Sequence, residues 1–435
     1  MADLEKNEVK KNTEKSNEDG CQNNQALSQE FAALIEAKKQ AVMPSKTIEV
    51  PPSDLLDSPD WHKHSHEAPK GLPGEYIKQG PRPHTPSDAD VVAALNKISA
   101  TEIKDELDQL SGNTDMIVGG KAHRLEGRST LGSEYKIALD FYKDKFEKLG
   151  YTVSLDTYTR RGQNYYNLRA MKLGTSQSNE IVMYGAHIDS TAGWPWYKEN
   201  KAPGANDDGS GVVALSQIAK AIKDLPLDRT VVFSLFSGEE QGLWGSRAMA
   251  EVYRQAQVGT LNPNDATNIG AQQRPKIVGM YQIDMIGYNP KNSKTIESHD
   301  TTSHKPSQAL TEIMARQQQR YNIDLKVYGA HNEELTERSD HYPFYANGIP
   351  AVLITEPYDT ADEHNPNYHS TNDTVATINI PYMVNVTKLM AASGIELAGM
   401  KGSLGAKGSA ADQAQQRMSL PNRIMWDCNK TPMRR

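Results

Sequence analysis

The feature that most constrains this chain is the stretch of residues 181–211, where an apolar run gives way abruptly to charged residues. The run IVMYGA is followed at once by His187 and Asp189, and NDDG then leads into a helix-like pattern from Gly209. Continuous apolar runs of this length are typical of strands that are buried on both faces. Charged groups are rarely buried unless they are paired or bind a cation. The stretch therefore predicts a buried strand whose end carries a functional site.

The same alternation of apolar runs and amphipathic segments recurs along the chain. Strands are predicted at residues 152–159, 167–172, 181–186, 230–236, 277–283 and 351–354. Helices are predicted from Ser99 or Thr101 to residue 110, at residues 133–149, from residue 209, and at residues 243–253, 308–320 and 380–397. This order predicts an α/β protein in which a mostly parallel central sheet has helices on both faces.

Composition divides the 435 residues into three parts. Residues 1–88 are polar and Pro-rich, and residues 401–435 are dominated by small and polar residues. Such segments cannot bury enough apolar surface to fold, so both are expected to be flexible tails. Residues 89–400 are expected to form the single folded and catalytic domain.

The overall charge and composition exclude several classes of protein. The formal net charge of −7 argues against binding to nucleic acid or to an anionic membrane surface. Apolar runs stay shorter than the roughly 18 residues of a membrane-spanning helix. Two cysteines, Cys21 and Cys428, do not form a disulfide framework or a C-x-x-C zinc site. The first twenty residues lack the apolar core of a secretory signal, so a cytoplasmic protein is expected unless export follows another route.

Acidic and imidazole groups follow several of the predicted strands. Glu239 and Glu240 come after residues 230–236, Asp284 directly follows residues 277–283, and His369 lies in the loop after the last strand. Taken singly, a Glu-Glu pair is usually a solvated helix start, and NDDG is a turn signal. In an open α/β sheet, however, ligands bind at the carboxyl ends of the strands. Their shared position therefore predicts one site.

The number of carboxylates indicates what such a site binds. Carboxylates only a few ångströms apart repel one another, and their pKa values rise unless a cation neutralises them. Imidazole nitrogen and carboxylate oxygen suit zinc, and two divalent ions about 3.5–4 Å apart with a shared carboxylate form a hydrolytic site. No G-x-S-x-G, H-E-x-x-H, P-loop or G-x-G-x-x-G motif occurs. The residues therefore predict metal-dependent hydrolysis.

The segments AHIDS, APGANDDGSGV, FSLFSGEEQGLWGS, QIDMIGY, ERSDHYPF and NPNYHSTNDT have the order and spacing of a known family. They resemble the co-catalytic dizinc aminopeptidases of the bacterial leucine aminopeptidase type, and the resemblance covers about residues 95–400. It implies a phosphorylase/hydrolase-like zinc exopeptidase fold, two Zn²⁺ ions and peptide substrates with a free N-terminus. The oligomeric state is left open.

The resemblance also implies a role for each metal ligand. Asp207 is implied to bridge both zinc ions through its carboxylate. His187 and Asp284 are implied to be the other ligands of one ion, and Glu240 and His369 those of the second.

Further roles are carried over for residues beside the implied ligands. Glu239 matches the general base, which takes a proton from the attacking water and passes it to the leaving amine. Asp189 matches a carboxylate that orients His187, and Met285 matches a position near the side-chain pocket. The family also has a cis peptide bond between Asp207 and Asp208.

Other reactions on the same fold compete with this interpretation. A glutaminyl cyclase, a transferase of similar fold, uses a single zinc ion. A carboxypeptidase or dipeptidase would need a basic group for the substrate carboxylate, and Arg338 is the nearest candidate. A binding protein without activity would be expected to have lost ligands or base. The complete ligand set favours an aminopeptidase.

Overall fold

The computed structural model describes residues 48–49, 87–193, 201–258, 274–300, 304–330, 338–358 and 364–399. The predicted tails lie almost wholly outside these ranges, as do both cysteines. Within the described residues, none of the helices combines the length and the apolar character that crossing a bilayer requires.

A large mixed sheet forms the centre of the fold. Its strands, in chain order, are β1 (Ile48–Glu49), β4 (Thr152–Arg160), β5 (Gln163–Lys172), β6 (Gln177–His187), β7 (Arg229–Phe236), β8 (Lys276–Ile283), β9 (Thr295–His299), β10 (Lys326–Ala330) and β11 (Ala351–Thr355). They are arranged in the order β1-β4-β5-β7-β6-β8-β11-β9-β10, and a separate hairpin pairs β2 (Met116–Val118) with β3 (Lys121–His123).

Helices cover both faces of this sheet. In chain order they are α1 (Asp88–Leu95), α2 (Ala100–Leu110), α3 (Glu134–Lys148), α4 (Gly209–Ile222), α5 (Trp244–Val258), α6 (Lys305–Arg320), α7 (His341–Ala346) and α8 (Ile380–Ala398). Two of the starts follow directly from the sequence, because the side chains of Ser87 and Ser99 accept hydrogen bonds from backbone N–H groups in the first turns of α1 and α2.

The four central strands, β7, β6, β8 and β11, run parallel to one another. Antiparallel pairs join β5 to β7 on one side and β9 to β11 on the other. Because parallel strands end at the same edge, the carboxyl ends of β7, β6 and β8 lie side by side. The predicted α/β class and parallel centre are confirmed, and the antiparallel flanks are additional.

Alternate residues of the central strands fill two apolar cores. Tyr184, Phe233 and Tyr281 belong to the core beneath α2, α3, α4 and α8, whereas Met183 and Met280 face α5 and α7. The Tyr184 and Phe233 rings stack at 5.2 Å. These cores immobilise the strands, and therefore also the side chains at the strand ends.

Each strand and helix predicted from the sequence is present, with ends shifted by a few residues. The hairpin, the short strand β1, β9, β10, α1 and α7 were not predicted. β9 reads TIESH and α7 reads HYPFYA, and neither has the apolar run or the length by which a strand or helix is recognised.

Candidate metal centre

The predicted site residues meet at the carboxyl edge of the central strands. His187 is the last residue of β6, Asp284 directly follows β8, and Glu239 and Glu240 lie in the turn between β7 and α5. β6 is hydrogen-bonded to β7 and β8 on its two sides, so these three strand ends are neighbours. The parallel register alone therefore brings together groups that are up to about a hundred residues apart in sequence.

Asp207 lies between the two imidazoles and faces each with a different oxygen. Its Oδ1 is 3.1 Å from His187 Nε2, and its Oδ2 is 3.1 Å from His369 Nε2. Asp284 Oδ1 lies 3.6 Å from His187 Nε2, and Glu240 Oε2 lies 3.1 Å from His369 Nε2. Two groups suited to a metal ion result, His187–Asp207–Asp284 and Asp207–Glu240–His369, and Asp207 belongs to both.

These separations fit a tetrahedral zinc ion. Zinc binds imidazole nitrogen and carboxylate oxygen at about 2.0–2.2 Å, which places two ligand atoms of one tetrahedral ion about 3.3–3.6 Å apart. Glu240 Oε1 and Asp284 Oδ1 are buried and have no hydrogen-bond partner among the described residues. Buried carboxylate oxygens without donors are costly unless they bind a cation. The distances and the chemistry of the donor set therefore both suit a metal ion.

Burial and neighbouring charge act in opposite directions on these groups. Burial opposes the charged form of His369, but the carboxylates of Glu240 and Asp207 outweigh it and raise its pKa to about 10. Burial raises the pKa of Glu240 to about 7, against the opposing charge of His369. The group therefore retains protons at neutral pH when it holds no cation. A divalent ion that binds there must displace them.

Asp189 contacts both the His187 imidazole and the backbone of the Glu239–Glu240 turn. The backbone carbonyl oxygen of Asp189 is 3.0 Å from His187 Nδ1, whereas its carboxylate Oδ1 is 3.8 Å from that nitrogen. The carboxylate oxygens accept the N–H groups of Glu239 and Glu240, each at 3.3 Å. The backbone of Asp189 thus contacts the imidazole, while its side chain holds the Glu239–Glu240 turn. Orientation of His187 by the carboxylate itself stays a prediction.

Asp208 ties three elements together, a role that the sequence did not reveal. It is fully buried, and the bond that joins it to Asp207 is cis, as the family resemblance implied. Its carboxylate accepts the N–H groups of Gly211 at 2.9 Å, His187 at 3.1 Å and Met285 at 3.3 Å. One side chain therefore caps α4 and fastens the ends of β6 and β8.

Asp373 and Ser339 are two further supports that sequence reasoning missed. Asp373 accepts the backbone N–H groups of Asn206 and Asp207, each at 2.9 Å, although it lies only four residues after His369. It therefore links the loop that carries His369 to the loop that carries Asp207. Ser339 Oγ donates to Asp284 Oδ2 at 2.6 Å. The segment ERSDHYPF was noted in the sequence without a role for Ser339, because a hydrogen bond to a distant carboxylate leaves no local signal.

A pocket opens beside the two ligand groups. Met285, Leu353, Thr355, Tyr358, Arg338 and Tyr368 line it together with the site residues. Met285 is one of the lining residues, and its role in a side-chain pocket stays a prediction. Met285 and His369 both have positive φ angles, 56° and 50°. Such backbone is uncommon for residues other than glycine and is found mainly where a site requires it.

Fold and site together define a class: an α/β protein with an imidazole–carboxylate metal cluster at the carboxyl edge of its sheet. The model of peptidase family M28 matches residues 167–393, just over half of the 435 residues. The chain therefore belongs to peptidase family M28. The family to which the sequence motifs pointed is confirmed.

Individual proteins show the same relationship. Leupeptin-inactivating enzyme 1 of Streptomyces exfoliatus is 29% identical over 255 residues, covering 58% of this chain and 48% of that protein. Leucine aminopeptidase 1 of Arthroderma otae is 30% identical over 238 residues, covering 51% and 56%. The chain thus spans about half the length of these curated relatives.

A solved structure shares the fold. The LapA aminopeptidase of Legionella pneumophila matches with a TM-score of 0.55 and 22% identity, over 74% of this chain and 78% of that one. At this level of identity the match shows the architecture of the domain.

Proposed function

We propose that this chain is a dizinc aminopeptidase, which removes the N-terminal residue of peptides. The observation that carries the proposal is the position of Asp207, whose two oxygens each face a separate imidazole–carboxylate group. A carboxylate shared in this way is the arrangement that holds two ions close together. A leucine aminopeptidase among the relatives supports the same reaction.

In this proposal each predicted residue keeps its role. Asp207 would hold both ions, with His187 and Asp284 as the other ligands of one ion and Glu240 and His369 as those of the second. The catalytic domain corresponds to residues 89–400.

Glu239 is the general base in this mechanism. It lines the pocket beside the ligands, and hydrogen bonds from its own N–H and from that of Glu240 to Asp189 fix its turn. Bound ions supply Lewis acidity, which activates water and polarises the scissile carbonyl. The Glu239 carboxylate takes a proton from the attacking water and then delivers it to the leaving amine nitrogen. Burial raises the pKa of Glu239 well above its ordinary value against the charge of His187, and neighbouring cations would lower it again.

The test combines metal content with two substrates. Zinc per chain is measured, and hydrolysis of leucine p-nitroanilide is compared with that of its N-acetylated counterpart. Two zinc ions and cleavage of the free-amine substrate alone are expected. Glu239→Gln should retain zinc and lose at least about 100-fold in kcat, because only the proton acceptor is removed. Cleavage of the blocked substrate would contradict the requirement for a free amine.

The same measurements separate the competing reactions. A glutaminyl cyclase, which shares this fold, would bind one zinc ion and leave the anilide intact. A carboxypeptidase or dipeptidase would depend on Arg338, which lines the pocket and lies over the Tyr358 ring at 5.8 Å. For those reactions Arg338→Met would abolish cleavage of substrates with a free carboxylate. For an aminopeptidase the anilide, which has no carboxylate, should still be cleaved.

A further inference from the structure

A short segment before α3 contacts three of the five segments that present the proposed ligands and base: the end of β6, the Asp207 loop and the Glu239–Glu240 turn. This segment, residues 127–130 with the sequence GRST, lies outside the part of the chain matched by the family model. Its Gly127 forms a parallel bridge with Ala202, which precedes the Asp207 loop. The Arg128 N–H donates to Ser190 Oγ at 3.0 Å, just beyond the end of β6. Neither the sequence motifs nor the proposed mechanism gives this segment a role.

Arg128 joins the β6 end to the Asp207 loop through its guanidinium. Its Nε donates to the carbonyl oxygen of Ile188, the residue after His187, at 2.8 Å. Its Nη1 donates to Pro203 O at 2.6 Å and its Nη2 to Gly204 O at 2.9 Å. Pro203 and Gly204 lie four and three residues before Asp207. Because a guanidinium is a rigid planar fork, these bonds fix the spacing between the two loops.

The charge of Arg128 has an unusual setting. The side chain is completely buried, and its described hydrogen bonds all go to backbone carbonyl oxygens. Burial lowers the pKa of Arg128, and Tyr142, followed by the carboxylates of Asp373, Asp208 and Asp189, acts against that decrease. Burying a cation is costly, so the bonds of the guanidinium to backbone carbonyl oxygens are needed to hold it in place.

Thr130 contacts the third loop. It is buried, and its Oγ1 accepts the N–H of Gly238 at 2.8 Å. Gly238 directly precedes Glu239 and has a φ of 73°, a backbone conformation that side chains disfavour. A Cβ at Gly238 would also lie 3.0 Å from the Tyr158 hydroxyl. The hydroxyl of Thr130 thus holds the turn that aims Glu239.

We propose that segment 127–130 is a positioning element with two separable effects: Arg128 sets metal affinity through the Asp207 loop, and Thr130 sets the aim of Glu239. This inference rests on the proposed dizinc function. It predicts that substitution of Arg128 changes zinc affinity, whereas substitution of Thr130, only two positions away, changes kcat. If the segment only stabilised the fold, substitutions at the two positions would have the same effects on zinc affinity and kcat.

The Arg128 arm measures zinc affinity by competition with a chelator, alongside thermal melting of the metal-free protein. Arg128→Met should weaken zinc binding roughly 10–100-fold, as loss of groups that support metal ligands typically does. Arg128→Lys keeps the charge but not the fork, so a smaller loss is expected. The matched control is Arg169→Met. Arg169, on β5, is also buried, but it pairs with Asp156 of β4 at 2.9 Å, so zinc affinity should stay within about twofold.

The Thr130 arm measures kcat and KM separately. Thr130→Val should lower kcat roughly tenfold with zinc affinity unchanged, because a misaimed base slows the chemical step. Thr130→Ser retains the acceptor and should restore kcat. Thr230→Val is the control, since Thr230 Oγ1 likewise accepts a glycine N–H, that of Gly174 at 3.0 Å, at the opposite end of β7. It should lower the melting temperature without changing kcat.

The outcomes distinguish failure of the proposed function from failure of the positioning role. Wild-type protein that binds no zinc overturns the proposed function itself. Normal zinc binding in wild type and in Arg128→Met, or equal effects of Arg128→Met and Arg169→Met, overturns the positioning role alone. If Arg128→Met does not fold, Arg128→Lys decides, and failure of both to fold makes Arg128 a requirement of the whole fold and overturns the proposal. A tenfold loss of zinc affinity in Thr130→Val would contradict the separation of the two effects.

Discussion

The two ligand groups have nearly the same chemistry but are held by different parts of the molecule. His187 is the last residue of the central strand β6, and its side chain is only 1% exposed. His369 lies in a loop outside the sheet, and its side chain is 17% exposed. The packed sheet therefore positions one group, whereas contacts between loops position the other. This difference predicts unequal metal affinity in two sites whose ligand types are alike.

The loop that carries His369 depends on contacts of a different kind from those that hold the sheet group. Asp373 fastens its loop to the backbone of Asn206 and Asp207, and the Tyr368 ring stacks on the His369 imidazole at 3.7 Å. The sheet group instead has Ser339 behind Asp284 and two cores beneath its strands. Local opening is easier where fewer buried apolar contacts must be lost. We therefore expect the ion at Glu240 and His369 to leave first.

The largest effect is expected from Asp207→Asn, which should weaken zinc binding at both sites. Asp207→Asn retains the size of the side chain but loses the charge that both groups share, so both affinities should fall by at least about 100-fold, beyond the usual effect of a supporting residue. Isothermal titration with zinc measures both sites at once. If one site kept its full affinity, Asp207 would belong to a single group.

The next largest effect distinguishes the two sites by the stability of the metal-free protein. His187→Ala and His369→Ala each remove one imidazole, and each should reduce the zinc content at saturation from two ions to one. Because His187 belongs to the buried sheet group, its loss should also destabilise the metal-free fold more, by about 2 kcal/mol, as a void opens beneath the site. Metal analysis and urea unfolding measure the two quantities. Equal unfolding free energies for His187→Ala and His369→Ala would show that the greater burial of His187 does not make it more important for stability.

A smaller effect tests the link between the loops. Asp373→Asn has one fewer oxygen with which to accept the N–H groups of Asn206 and Asp207, so roughly tenfold weaker binding is expected at the loop site only. Stepwise release of zinc to a chelator would show a faster first phase and an unchanged second phase. A change in both phases would mean that Asp373 acts through Asp207 on the whole centre.

The smallest effect concerns pH and the metal-free protein. Burial raises the pKa of Asp340 to about 8 and that of Asp373 to about 7. The folded state therefore binds more protons than the unfolded state, and stability falls as pH rises from about 4 through 8. The melting temperature of the metal-free protein should be a few degrees lower at pH 8 than at pH 6, and zinc should reduce that loss. A rise over this interval would contradict the assigned direction.

The sequence predicted the sheet group more completely than its surroundings. His187 and Asp284 were identifiable because each ends an apolar run, and parallel strands bring such ends together. The contacts of Asp208 with His187 and Met285, and those of Asp373, were not, because they join a carboxylate to backbone N–H groups that are distant in sequence and have no sequence signature. Strand β9 was missed for a related reason. Its polar TIESH sequence is buried only because β10 and β11 flank it and α6 packs nearby.

The three hydrogen bonds to Asp208 also bear on how this edge of the protein opens. The same carboxylate accepts the amides of His187, Gly211 and Met285, which belong to β6, α4 and the segment after β8. If any one of these elements moved away from the others, the buried Asp208 carboxylate would lose a hydrogen-bond donor. The three amide protons should therefore exchange with solvent together, in one opening event whose free energy approaches that of global unfolding.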